Sequence, residues 1–292
     1  MIDIKNCPVC GAENFSEYLV LKDFFLTGET FHLQKCNSCQ FVFTNPRPDD
    51  KSLPKYYESP EYLSHHSRGM KPVQWVYRVL RHMNFRKKYF LINKFVAKGK
   101  LLDIGCGTGE FLNYFKKKKW EVMGIEPSLP TRDFAIQKYG LDVKDETGLN
   151  KLQKDTFDIV TMWHVLEHVS GLHERIKLIH TLLKPSGYLI IALPNLNSWD
   201  AQHYKKYWAA FDVPRHLSHF SERTVKTLAK THGFKFIETV PMKMDAYFIS
   251  MLSEKYRGRH NRFLYGAMNG FISNKRAKKS GEYSSLIYIF QK

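Results

Sequence analysis

Four cysteines in two pairs, Cys7-x-x-Cys10 and Cys36-x-x-Cys39, stand first among the residues that could do chemistry. Each pair lies in a turn-forming context, CPVCG and CNSCQ, and 25 residues separate the two. Four thiolates at this spacing close a tetrahedral zinc site and leave no position for water, so the metal they imply is structural. A fifth cysteine, Cys106, lies in the stretch LLDIGCGTGEFL, residues 101–112. There an apolar run ends in Asp103, and Gly105, Gly107 and Gly109 follow at alternate positions. Such a turn lets the backbone approach a ligand closely, and a helix starting behind it offers free N–H groups to an anion or carboxylate. Cys106 reads as a small residue beside that ligand. Glu126 follows Gly105 by 21 residues, where one βαβ step places a carboxylate able to accept two ribose hydroxyls. Histidines supply the rest: His164 and His168 in FDIVTMWHVLEHV, just after Trp163, and His216 and His219 in FDVPRHLSHFS, next to Arg215. Imidazole is the natural proton acceptor near pH 7, and a guanidinium beside it suits a substrate anion.

Those residues need a scaffold that ends several strands at one edge. Apolar runs and turn signals predict strands over 100–104, 120–125, 141–143, 157–162, 187–193, 234–240 and 284–291. Helical patterns fall at 73–97, 110–117 and 222–231, the last capped by Ser218 or Ser221. Alternating strands and helices imply a doubly wound α/β sheet of seven strands, mostly parallel, with the last one antiparallel. The first 48 residues read as a small zinc-ribbon-like unit with strands at YLVLKD and FHLQKC; residues 49–292 read as the main domain. A core of under 50 residues is marginal without a staple. The proline-rich TNPRPDD links the two, and the aromatic stretch YYESPEYLSHH after it fits no single pattern.

G-x-G-x-G entered through an acid resembles motif I of the class I S-adenosylmethionine-dependent methyltransferases, and the later segments follow in that family's order over about residues 75–240. HVLEH and DVPRHLSHFS resemble a broad small-molecule group within it. The resemblance implies a Rossmann-like domain binding S-adenosyl-L-methionine through Asp103, Gly105, Cys106, Gly107, Gly109, Glu126 and Trp163. It implies His164 or His216 as base, with His168 nearby and Arg215 on a substrate anion. VLEH also resembles the ubiquinone-type O-methyltransferases, whose acid-x-x-acid-His set is associated with a divalent metal; His164 stands where that set has its first acid, so the set is incomplete. A four-cysteine unit ahead of such a core resembles the nucleotide-sugar C-methyltransferases, without their large C-terminal domain.

The formal charge is +17. Residues 69–102 carry nine Lys or Arg and no acid, and residues 255–281 carry eight and no acid, which together account for the whole excess. Ligands in an open α/β sheet sit at the carboxyl ends of the strands, and the excursions at 194–220 and 241–283 leave from that edge. Both basic segments can therefore reach the substrate side. They favour a small anionic acceptor (a nucleotide-sugar, a glycan or lipid precursor, or a quinone-like molecule) and a peripheral contact of 255–280 with an anionic membrane. An RNA methyltransferase is the second reading, since zinc units and positive charge also suit RNA. A binding module that kept the cofactor fold is the third, and intact Asp103, the glycine turn and Glu126 argue against it. No apolar run is long enough to span a bilayer, no signal region opens the chain, and a cytoplasmic, reducing setting is expected.

Overall fold

The computed structural model describes residues 1–57 and 72–292, with side chains in the first helix from Met83 onward. Most of YYESPEYLSHH and the start of the 69–102 basic segment lie outside the described residues. In chain order the strands are β1 (Phe15–Lys22), β2 (Thr30–Cys36), β3 (Val42–Thr44), β4 (Lys100–Ile104), β5 (Glu121–Ile125), β6 (Asp142–Lys144), β7 (Phe157–Trp163), β8 (Leu183–Pro194), β9 (Ser218–His219), β10 (Lys235–Pro241) and β11 (Ser285–Gln291). The helices are α1 (Pro72–Asn93), α2 (Glu110–Lys117), α3 (Leu129–Tyr139), α4 (Glu146–Leu149), α5 (Leu172–Leu182), α6 (Trp199–Tyr204), α7 (Glu222–Thr231), α8 (Asp245–Tyr256) and α9 (Arg262–Ser280). Seven strands pair in the order β10-β11-β8-β7-β4-β5-β6, the sheet expected from the alternating pattern. A second sheet runs β1-β2-β3-β9. Its last member was not anticipated: β9 comes from the DVPRHLSHFS stretch and pairs antiparallel with β3, Val42 against His219 and Phe43 against Ser218.

By compactness the chain forms two units. One comprises 60–163, 177–190 and 290–292; the other comprises 1–59, 164–176 and 191–289. In the first, β4 lies between β5 and β7 in parallel register, which sets Asp103 beside Thr161 on one side and Gly124 on the other. The apolar run that predicted β4 is buried as Leu101, Leu102 and Ile104, and α2 turns Phe111, Leu112 and Phe115 onto the same core. Lys116 and Lys117 close the last turn of α2, where a cation favours the exposed carbonyls.

In the second unit the first 57 residues do not stand apart. Leu33, Val42 and Tyr56 share one core with Tyr204, Trp208, Phe211 and Val213. A four-cysteine unit too small for its own core therefore finds one in the 196–213 excursion. Helix α7 starts at Ser221, whose hydroxyl accepts from the Thr224 amide while Thr224 answers on the Ser221 amide. Ser218 is a strand residue instead.

Gly109 shows how tightly α2 seats the turn. Its φ is +75°, and a side-chain carbon there would stand 2.6 Å from Leu141 Cδ1 and 2.9 Å from Ala135 Cβ. Gly109→Ala should lower the unfolding free energy by about 1–3 kcal/mol through overpacking, with left-handed strain added. Urea unfolding that matches wild type would contradict this placement.

Candidate functional site

The glycine turn is built before any ligand arrives. The N–H groups of Gly105 and Cys106 both donate to the Ile125 carbonyl, at 2.7 and 3.0 Å, tying the end of β4 to the end of β5. Gly105, Gly107 and Gly109 all have positive φ, and nothing lies within 4 Å of where a Gly107 side chain would project. Glu126 is clamped at both oxygens: Oε2 accepts from the Gly107 amide and Oε1 from the Ser128 amide, each at 2.9 Å. A carboxylate has about four lone-pair sites, so each oxygen keeps one for a hydroxyl while the amides fix its direction. Burial raises the Glu126 carboxyl above its ordinary value, and those two amides offset part of the effect. Asp103 is buried and accepts from the Thr161 hydroxyl at 2.6 Å, the contact its strand register dictates. Burial pushes its carboxyl up to about 7, with the Thr161 bond working the other way.

Two further residues expected at the cofactor behave differently from each other. Cys106 sets the turn rather than offering it a ligand group: its N–H is spent on Ile125, and its thiol packs where a Gly124 side chain would otherwise stand. Burial, followed by the charges of Asp103 and Glu126, pushes that thiol well above the usual range, so it is no nucleophile. Trp163, at the end of β7, meets Phe111 edge to face and carries the Lys88 ammonium 3.6 Å from its ring centre. Its indole N–H is buried without a protein acceptor among the described residues. Open space at Gly107, a fixed acceptor at Glu126 and an orphaned donor at Trp163 fit a polar, ribose-bearing cofactor.

The second unit gathers the histidines. A single turn of 3-10 helix, Leu166–His168, buries Glu167, whose carbonyl accepts from the Leu217 amide at 2.8 Å. His164 sits at φ +56°, a left-handed conformation that costs a side-chain-bearing residue roughly 1 kcal/mol. It is held there by its N–H to the Ala192 carbonyl and by its ring, with Nε2 3.1 Å from Asp245 and Nδ1 3.5 Å from Glu167. Burial works against a charged ring, but the two carboxylates outweigh it and raise His164 to about 10. Burial would likewise raise Glu167, yet the nearby His164 ring and the neighbouring imidazoles bring it down to about 2. The two carboxylates thus favour the protonated His164 ring, the opposite of the neutral imidazole that its expected part as a base requires.

His168 and His216 meet ring edge to ring face, 4.6 Å apart. His168 Nδ1 lies 3.0 Å from the Arg215 carbonyl and 2.9 Å from the Tyr57 hydroxyl. His216 Nδ1 lies 2.8 Å from the Ala210 carbonyl. A carbonyl only accepts, so each Nδ1 carries the hydrogen and each Nε2 keeps a lone pair in the neutral ring. Burial, then the charge of His216, brings His168 down to about 4, and the same two causes bring His219 down to about 3. Ligating atoms of Glu167, His168 and His216 all lie within 4.8 Å of one another.

Arg215 requires the second correction. It is buried, not turned to a substrate anion. Nε and Nη2 donate to Asp212 at 3.0 and 2.7 Å, Nη2 and Nη1 to Asp23 at 2.8 and 3.4 Å, and Nη1 to the Tyr56 carbonyl at 3.0 Å. The Phe25 ring covers it at 4.6 Å. Two carboxylates already neutralise the guanidinium and leave no face for a ligand. Sequence reading missed Asp23, Thr44, Tyr57 and Asp245. Only Asp212, three residues before Arg215, left a local signal.

The four cysteines converge as their spacing predicts. Cys7 Sγ lies 3.5 Å from Cys39 Sγ, Cys10 Sγ lies 3.6 Å from Cys36 Sγ, and all four fall within 4.8 Å. Sulfurs on a tetrahedral zinc at roughly 2.3 Å stand about 3.8 Å apart, so the cluster fits that ion. Both knuckles turn alike: Gly11 and Gln40 take positive φ, and their N–H groups donate to the Cys7 and Cys36 carbonyls at 2.9 Å.

Residues 76–239 match the family described as "Methyltransferase domain". The chain belongs to that family and is a methyltransferase. It is 26% identical over 175 residues to a malonyl-[acyl-carrier protein] O-methyltransferase of Pseudescherichia vulneris, covering 55% of this chain and 68% of the relative. It is 29% identical over 104 residues to a ubiquinone biosynthesis O-methyltransferase of Rhodopseudomonas palustris, 34% of this chain and only 41% of that relative's length. The fold matches a SAM dependent methyltransferase from Archaeoglobus fulgidus with a TM-score of 0.50 at 22% identity, over 73% of this chain and 94% of that one.

The His164 pairing has a pH signature. A group whose folded value rises from 6.5 to about 10 stabilises the fold fully below 6.5, and that contribution fades up to about 10. The stability gap between wild type and His164→Gln should therefore be widest at mildly acidic pH and close as pH climbs to about 10. A gap that stays constant in denaturant unfolding across that range would contradict the ion pair.

Proposed function

We propose that this methyltransferase acts on an oxygen or carbon of a small anionic acceptor: a nucleotide-sugar, a glycan or lipid precursor, or a quinone-like molecule. The observation that carries the reading is His216, a buried imidazole whose Nδ1 is anchored on the Ala210 carbonyl, leaving Nε2 as the acceptor of a proton. S-adenosyl-L-methionine supplies, when bound, a methyl group activated on a sulfonium. Glu126 orients the ribose through the lone pairs its backbone clamps leave free, and the Trp163 indole N–H finds its acceptor on the cofactor. His216 takes the acceptor's proton. Glu167, held ionised, stabilises the imidazolium that results. His168, kept neutral, contributes its edge and no competing charge.

Zinc on Cys7, Cys10, Cys36 and Cys39 is structural in this reading, and a reducing, cytoplasmic setting keeps those thiolates free to bind it. The two acid-free basic segments attract the acceptor's negative charge, and a lipid-linked acceptor brings the enzyme to an anionic membrane. RNA stands as the second reading on net charge alone; a salt-dependent mobility shift with RNA would favour it.

Glu126→Ala should weaken S-adenosylmethionine by about 1.5–3 kcal/mol in calorimetry. His216→Asn should leave that affinity unchanged and lower kcat by about 10²–10⁴-fold on an acceptor identified by mass spectrometry of co-purified ligand. A His216→Asn enzyme with full turnover would remove the proposed base. For zinc, elemental analysis should find about one ion per chain. Cys36→Ser should retain cofactor binding while hydrogen exchange speeds up in both 1–48 and 212–220. Fast exchange confined to 1–48 would show that the ribbon does not hold the histidine loop.

A further inference from the structure

Helices α8 and α9 are antiparallel neighbours pressed together at two glycines. A side-chain carbon on Gly266 would stand 2.6 Å from Met251 Cα, and one on Gly270 would stand 2.7 Å from Tyr247 Cα. So close an approach permits little sliding or rotation. Buried polar bonds fix the inner flank of each helix. Ser253 of α8 accepts from the Ala209 amide, while on α9 Asn269 donates to Tyr204 and Glu254, and Ser273 donates to Asp200. With inner flanks and contact seam set, helical periodicity turns the remaining flanks of both helices to the same outer side. On that side lie Met244, Phe248, Phe263, Leu264, Met268 and Phe271, each between 48% and 69% exposed.

Single exposed apolar residues are ordinary. Six large ones on one rigid two-helix face mark a contact surface. The unpaired exposed charge at the two ends of that face is cationic, the α8 acids Asp245 and Glu254 being paired with His164 and with Arg257 and Arg259. Lys255 stands exposed at one end of the face and Lys275, Lys278 and Lys279 at the other, within a stretch of eight Lys or Arg and no acid. No helix among the described residues is long and apolar enough to cross a membrane.

We propose that the outer face of α8 and α9 docks on the surface of an anionic bilayer, with the six apolar side chains among the acyl chains and the lysines on the headgroups. Charge complementarity selects this occupant. A second copy of the chain would bring the same cations against one another, and an uncharged partner would leave them unpaired. Helices lying in the interface plane with an apolar face and a Lys/Arg rim are the arrangement such a surface binds. The contact deepens the proposed reading by giving a lipid-linked acceptor its place of delivery. It is tested by binding alone, so either idea can fail without the other.

The test is flotation of the full chain with vesicles of phosphatidylglycerol and phosphatidylcholine in equal parts, against phosphatidylcholine alone. Wild type should float with the mixed vesicles at low salt and release as salt rises. Each base near an anionic surface contributes roughly fivefold, so Lys275→Gln/Lys278→Gln/Lys279→Gln should lose on the order of a hundredfold in partitioning. Phe263→Ser/Phe271→Ser should lose binding that lowering the salt does not restore. Both variants alter exposed positions, and thermal melts check that they fold. Lys117→Gln/Lys118→Gln/Lys119→Gln, exposed lysines at and just after the end of α2, should bind like wild type. Three results would overturn the proposal: no flotation of wild type at low salt, an equal loss in the Lys117–Lys119 variant, or sedimentation showing that the face closes a dimer.

Discussion

Removing a guanidinium from water costs several kcal/mol, and only close, complete pairing offsets it. Arg215 has that pairing. Asp212 reaches it from three residues away and Asp23 from a distance of 192 in sequence, while Tyr56 supplies a carbonyl. The arrangement tolerates no half measures. Without Asp23 the cation would keep one carboxylate in a site nearly closed to solvent. The loop before Arg215 and the strand pair before Asp23 therefore have one relative position that both can occupy, and the rest of this unit is arranged around it.

His216, the neighbour of Arg215, takes its place from that anchor. Its carbonyl accepts from the Thr44 hydroxyl at 2.9 Å, and Thr44 in turn donates its amide to the Leu217 carbonyl. Thr44 ends β3, which pairs with β9. The histidine loop thus supplies the fourth strand of the N-terminal sheet, and Cys36 of the four-cysteine cluster stands at the end of β2, one strand further in from β3. Because zinc affinity in such units is also folding free energy, order in the ribbon becomes order at His216. The small N-terminal sheet thus carries the strand that follows His216.

Much of this was legible in the sequence, because its causes are local. Strand and helix positions follow from apolar periodicity, the glycine turn from residues that must take positive φ, and the convergence of the four cysteines from two short knuckles. The misread residues are those whose surroundings come from far along the chain. Arg215 looked free because nothing near it announced Asp23. His164 looked like a neutral base because nothing near it announced Asp245, which lies 81 positions on. The β3–β9 pairing joins segments about 175 residues apart with no alternation long enough to call attention to itself. A two-residue strand carries no period.

The histidines also show how one motif distributes protons. HVLEH places His164 and His168 on either side of Glu167 within five residues, yet they end in opposite states. His164 has two carboxylates within 3.5 Å and keeps its proton. His168 has the Glu167 carboxylate within 4.8 Å as well, but it faces another imidazole and two neutral oxygens, and burial followed by the charge of His216 brings it down. The difference lies less in the motif than in what the later excursions bring to it: Asp245 from 241–283 for the first, and the Arg215–His216 loop for the second. A chain with the same HVLEH and another excursion would divide the protons differently. Residue identity in the motif thus fixes where imidazoles stand, and the excursions decide which of them can act as a base.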